Sequence, residues 1–106
     1  MAGSKGDMGA AGATNVVVRT QQPCPNMPAN VHCSIVLQCQ AGERATGGGA
    51  GFTDFGGNEF VNVSHPLEAD GTNPEAGDVP TGWAAGIEYT SGGPRNAVGY
   101  VVCASP

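Results

Sequence analysis

The chain has 106 residues, room for one compact domain. Nine acidic against four basic residues give a net charge of -5, which argues against a partner made of nucleic acid or an anionic membrane surface. Only 12% of residues are charged, while 18 glycines and 8 prolines make about a quarter of the chain, so turns and extended segments are expected. No stretch holds apolar residues at helical spacing for three turns.

Residues 3–14, GSKGDMGAAGAT, place Gly3, Gly6, Gly9 and Gly12 at every third position. That is the spacing of a triple helix, where only hydrogen fits at the crowded axis. The run lies outside the strands, and its Lys5-Gly6-Asp7 triplet sets a cation and an anion at staggered positions on neighbouring chains. Both features favour an end of a collagen-like stalk over a flexible linker. No triplet contains proline, so such a stalk needs the following domain to hold three chains together. Met1-Ala2 running directly into triplets, with no signal-peptide core and no bilayer-spanning apolar run, is the pattern expected of a piece cut from a longer protein.

From residue 15 to 106 the pattern is that of a β domain. NVVVRT (15–20) has a β-branched core, and QQPCPNMPAN reads as a proline loop. VHCSIVLQCQ alternates, setting Cys33, Ile35, Leu37 and Cys39 on one face. AGERATGGGAGF turns into a glycine-rich strand, and NEFVNVSHP is a strand stopped by Pro66. LEADGTNPEAGDVPTG is a long acidic loop. GWAAGIEYT aligns Trp83, Ala85, Ile87 and Tyr89, SGGPRN turns, and AVGYVVCA ends the series. About six short strands predict an all-β sandwich or barrel.

Four cysteines, Cys24, Cys33, Cys39 and Cys103, in a chain with so small a core predict two disulfides and an oxidising location, extracellular or on a virion surface. Spacing leaves all three pairings open.

CQAGERATGGGAGF, SHP, GW, YTSGG and YVVCAS, in that order over about residues 33–105, resemble a small secreted β domain of bacterial and phage proteins. Its pattern is a Cys-Pro-x-Gly start, a Gly-Gly-Gly turn, a Gly-Trp strand and a Tyr-x-Val-Cys-Ala end; Gln40 stands here in place of the proline. The preceding triplets are similar to those of phage and bacterial collagen-like proteins, in which such domains cap a stalk. The resemblance implies pairing of Cys39 with Cys103 and of Cys24 with Cys33. It also implies a structural or adhesive role, and it carries no catalytic residues.

Other chemistries find little support. Ser64-His65 with Asp54 or Asp70 supplies the letters of a hydrolase, but neighbours on a strand point to opposite faces. TGGGAG (46–51) lacks the helix and lysine of a phosphate loop and reads as close packing or a bulge, or as room for chains to meet at a threefold axis. Cys24, His32, Cys33 and Cys39 lack zinc-knuckle spacing. No metal site or cofactor is therefore expected. Trp83 fits the core better than a sugar platform, and Asn62-Val63-Ser64 is a glycosylation sequon.

The acidic loop, with Glu68, Asp70, Glu75 and Asp78, lacks calcium-loop spacing and is the longest insertion, hence a candidate receptor contact. The expected protein is therefore a homotrimeric, non-enzymatic fibre end of a phage tail or capsid or of a bacterial surface, with a cell-surface receptor or glycan as a further partner. The competing expectation is a monomeric carbohydrate-binding or inhibitor-like module with a glycine-rich tail.

Overall fold

The computed structural model describes residues 15–54 and 57–106. The Gly-X-Y segment, residues 3–14, lies outside them. Six strands follow one another: β1 Asn15–Gln21, β2 Cys33–Gln38, β3 Arg44–Phe52, β4 Glu59–Leu67, β5 Gly82–Tyr89 and β6 Ala97–Ser105. They form two three-stranded antiparallel sheets, ordered β1-β6-β3 and β2-β5-β4. The expected all-β fold is thus a sandwich, with no helix among the described residues.

Alternation decides which side chains enter it. In β2 Cys33, Ile35 and Leu37 are buried, while Ser34, Val36 and Gln38 are exposed. They pair with Ile87, Ala85 and Trp83 of β5, so both strands send one row inward, as the period-two pattern requires. From the other sheet Val101 and Cys103 of β6 complete the core, with Tyr89 at one end. Two inward glycines set the distance between sheets. A Cβ at Gly48 would lie 2.5 Å from Trp83 Cδ1, and one at Gly99 would lie 3.1 Å from Leu37 Cδ1.

Two strands depart from plain alternation. β3 bulges between Ala45 and Gly47, and β4 between Val61 and Val63. Each bulge returns the following residues to register after one extra residue. Pro66 does not end β4, which continues to Leu67 with Pro66 opposite Trp83. The strand is an edge, so the missing N–H costs no ladder bond.

The disulfides are Cys24–Cys33 and Cys39–Cys103, and no cysteine is free. The second ties the residue after β2 to β6, and so one sheet to the other. The first fastens the proline loop to the start of β2.

Candidate assembly surface

The two ends of the sandwich differ. At one end lie Asn15 at the start of β1, its partner Ser105, and the Cys39–Cys103 bridge. The acidic loop after β4 belongs to this end. The backbone N–H of Thr81 donates to Leu67 O, that of Cys39 to Thr81 O, that of Ala45 to Pro80 O, and Gln38 Nε2 donates to Glu68 O. At the other end loops 22–32 and 90–96 meet.

Arg95, which is buried, rivets that second end. Its backbone exchanges hydrogen bonds with Met27, and its guanidinium donates to Gly57 O at 2.8 Å and to Ser91 O at 3.3 Å. The guanidinium also lies 4.2 Å from the Tyr89 ring centre and 5.7 Å from that of Phe52. Tyr89 OH in turn donates toward the carbonyls of Met27 and Gly93, both at 2.7 Å. The turn composition of SGGPRN gave no sign of this role, because the burial comes from loops distant in sequence.

The outer face of the β1-β6-β3 sheet is apolar and open along the valines of β1 and at Tyr100 in the middle of β6, whereas Val98 and Ala104 of β6 are buried and Thr20 and Arg44 add polar groups to the same face. Register alternation sends Val17, Val101 and Cys103 toward the other sheet, and Val16, Val18, Tyr100 and Val102 away from it. Val16 is 62% exposed, Val18 58% and Tyr100 39%. On the far side of β6 the same face carries Gly47 and Gly49, opposite Val102 and Tyr100. Neither glycine has positive φ, and an added Cβ at either meets nothing within 4 Å. Gly48 between them is explained by Trp83, and Gly47 closes the β3 bulge; Gly49 is explained by nothing inside the protomer.

β1 is held at its own edge by an ion pair. Arg19 Nε donates to Glu43 Oε1 at 2.8 Å, and Nη2 donates to Oε2. The hydrogen bonds from Arg19, with a further bond from Gln40 N–H, hold the Glu43 carboxyl below its ordinary range. A groove of about 370 Å³ runs along this edge, between residues 18–21 of β1 and Leu37, Gln38 and Gln40.

The remaining predicted residues are placed as follows. Ser64 accepts from Trp83 Nε1 at 3.0 Å, while His65 Nδ1 bonds Pro66 O at 3.0 Å, so the two are committed to different partners. Trp83 is half-buried between the sheets, as a core residue. Cys24, Cys33 and Cys39 are bridged and offer no thiolates; the grouping of Cys39, Cys103 and Glu43 is likewise a disulfide beside a carboxylate already paired with Arg19.

Asn62, in the β4 bulge, donates to Glu88 Oε1 at 2.9 Å and bonds His32 Nδ1 at 3.2 Å. This cluster sits over Gly86, where a Cβ would lie 2.5 Å from His32 Cε1. The registers of β2 and of β4 on β5 together bring these three side by side, and no sequence motif announced it.

In the acidic loop Asp70 accepts from Thr72 N–H and Oγ1, which lowers its pKa. Glu75 N–H donates to Asp78 Oδ2. Partial desolvation, then the nearby Asp78 carboxylate, raise the pKa of Glu68. The four carboxylates are gathered in one loop, at the end where the chain enters β1.

Comparison with protein-family models, curated proteins and solved structures finds no match.

Proposed function

We propose that this chain is the trimerising and capping domain of a collagen-like fibre, a non-enzymatic end piece of a phage tail or capsid fibre or of a bacterial surface adhesin. One observation carries the reading: the Gly-X-Y run of residues 3–14 passes without any spacer into β1, an edge strand whose Val16, Val17 and Val18 are all exposed. Three chains wound on glycine must enter three β1 strands side by side. Exposed valines at that point supply the apolar contact that four proline-free triplets lack.

The two disulfides suit an oxidising, extracellular or virion-surface setting. Among the described residues no helix is long and apolar enough to cross a membrane. With the stalk entering at Asn15, loops 22–32 and 90–96 face away from it, and the acidic loop with Glu68, Asp70, Glu75 and Asp78 is the candidate contact for a receptor or glycan. The acidic loop in this reading flanks the stalk. Light scattering on the full chain tests the proposal: a mass of three chains is expected, and a single-chain mass would remove it, leaving the monomeric binding module.

A further inference from the structure

We infer that the copies meet through the outer face of the β1-β6-β3 sheet, the valine row of β1 on one chain seated on the glycine row of β3 on the next. This rests on the trimer reading above and names the surface it uses.

The face is lopsided in a way that suits a ring. Across three strands it runs from Val16 and Val18, through Tyr100 and Val102, to Gly47 and Gly49. Protruding valines lie on one flank, and on the other the backbone of Gly47 and Gly49 is bare beyond Arg44 and Thr46 at the start of β3. A head-to-tail contact pairs unlike flanks, and such contacts close when the rotation does.

Inside the protomer, glycine at position 49, outside the β3 bulge, brings only a penalty, of roughly 0.5–1 kcal/mol relative to alanine in a strand. Strand glycine without a local reason marks close approach of another backbone. Tyr100 and Val102, opposite Gly49 and Gly47 on β6, say that the approaching surface is apolar.

Chain continuity identifies that surface as another copy. Residues 3–14 end immediately before β1, so whatever gathers three Gly-X-Y segments also gathers three β1 strands, in parallel and in register. Strands running along the threefold axis then extend the direction of the stalk. The central strand, β6, points Tyr100 and Val102 toward the axis. The other sheet's outer face, with Val36, Phe60 and the Asn62–Glu88 cluster, is left facing solvent.

The test is native mass of the full chain carrying Val18→Glu, with Val36→Glu on the opposite sheet as comparison. Both sites are exposed in the protomer, so both variants should fold; near-ultraviolet circular dichroism and the absence of free thiols check this. Val18→Glu should weaken association at least about tenfold and give single chains, because a carboxylate is buried in an apolar contact. Val36→Glu should remain trimeric.

Gly49→Leu is a second variant: its Cβ meets nothing within 4 Å in the protomer, and its side chain extends into the space reserved for the neighbour. Should Val18→Glu fail to fold, Gly49→Leu decides alone. A trimer that survives Val18→Glu and Gly49→Leu overturns this inference while the trimer reading stands. A wild-type chain that is single in solution overturns both, and a dimer overturns the threefold arrangement.

Discussion

Gly48 and Trp83 meet across the sandwich with no space for a methyl group between them. An added Cβ at Gly48 would sit 2.5 Å from Trp83 Cδ1 and 2.6 Å from Tyr100 O, and neither the indole nor the strand can retreat freely. The indole is also fixed from its other side, by its hydrogen bond to Ser64. Gly48→Ala is therefore expected to destabilise the fold by about 1–3 kcal/mol, the usual effect of overpacking. Thermal melting at fixed protein concentration should show a fall of several degrees. Gly93→Ala, where a Cβ meets nothing within 4 Å, is the comparison and should melt close to wild type. Equal melting of the two variants would refute the packing argument.

The two disulfides should contribute unequally. Cys39–Cys103 closes a separation of 64 residues and Cys24–Cys33 one of 9. On the chain-entropy model the longer loop is worth roughly 4 kcal/mol and the shorter roughly 2 to 3. Replacing Cys39 and Cys103 together by serine should lower the denaturation midpoint more than replacing Cys24 and Cys33. The long bridge also joins the two sheets, whereas the short one fastens a loop. Denaturant titration of both double variants, with thiol counts to confirm that the remaining bridge is intact, checks the order.

All six strands could be read from the sequence, because five carry a period-two pattern or a β-branched run bounded by turn residues and β3 follows a turn as a glycine-rich extended stretch. The inward rows of β2 and β5 were legible residue by residue. The sheet order was not: that β6 lies between β1 and β3 depends on pairing between distant segments, which no local pattern encodes. Pro66 misled for a related reason, since a proline interrupts a strand only where its N–H would be needed, and edge position is a tertiary property. The meaning of TGGGAG was equally hidden. Gly48 is bare because of Trp83, Gly47 closes the bulge, Gly49 is bare for another reason, and only the register separates them.

Arg95 should be the most sensitive charged residue. It is 7% exposed, and it joins Met27, Gly57 and Ser91 while stacking on Tyr89. Arg95→Ala would leave the part-buried hydrogen bonds to Gly57 O and Ser91 O unmade and remove the stacking on Tyr89, at a cost of about 2 kcal/mol. Arg95→Lys should recover little, because a compact ammonium cannot donate in two directions while lying flat on a ring. Hydrogen exchange gives the local readout: amides of loops 22–32 and 90–96 should exchange faster in both variants, while β2 and β5 stay protected. A lysine variant with wild-type exchange would refute the role given to the planar fork.

Acid should act on the two ends of the acidity range in opposite directions. The folded state holds Glu43 below its ordinary pKa, mainly through the hydrogen bonds from Arg19. Its contribution is thus complete above the ordinary glutamate range and disappears as pH falls through the depressed folded value. Glu68 is raised, by partial desolvation and then by Asp78, so its ionised form is disfavoured in the fold. That penalty is relieved as pH falls through the raised value, which is reached first on acidification. Stability should hold or rise slightly as Glu68 takes its proton, then fall as Glu43 takes its own and releases β1 from the β2–β3 turn. Both groups are solvent-accessible, so shifts of a few degrees in melting temperature are expected, smaller at high salt. Melting curves from about pH 3 to 7 for wild type, Glu43→Gln and Glu68→Gln separate the two groups. Glu43→Gln should melt lower at neutral pH and show a smaller acid-side fall, the remainder belonging to Asp70, whose pKa is also lowered, and Glu68→Gln should lose only the initial plateau or rise. If Glu43→Gln traces the wild-type curve, the Arg19–Glu43 pair does not hold β1.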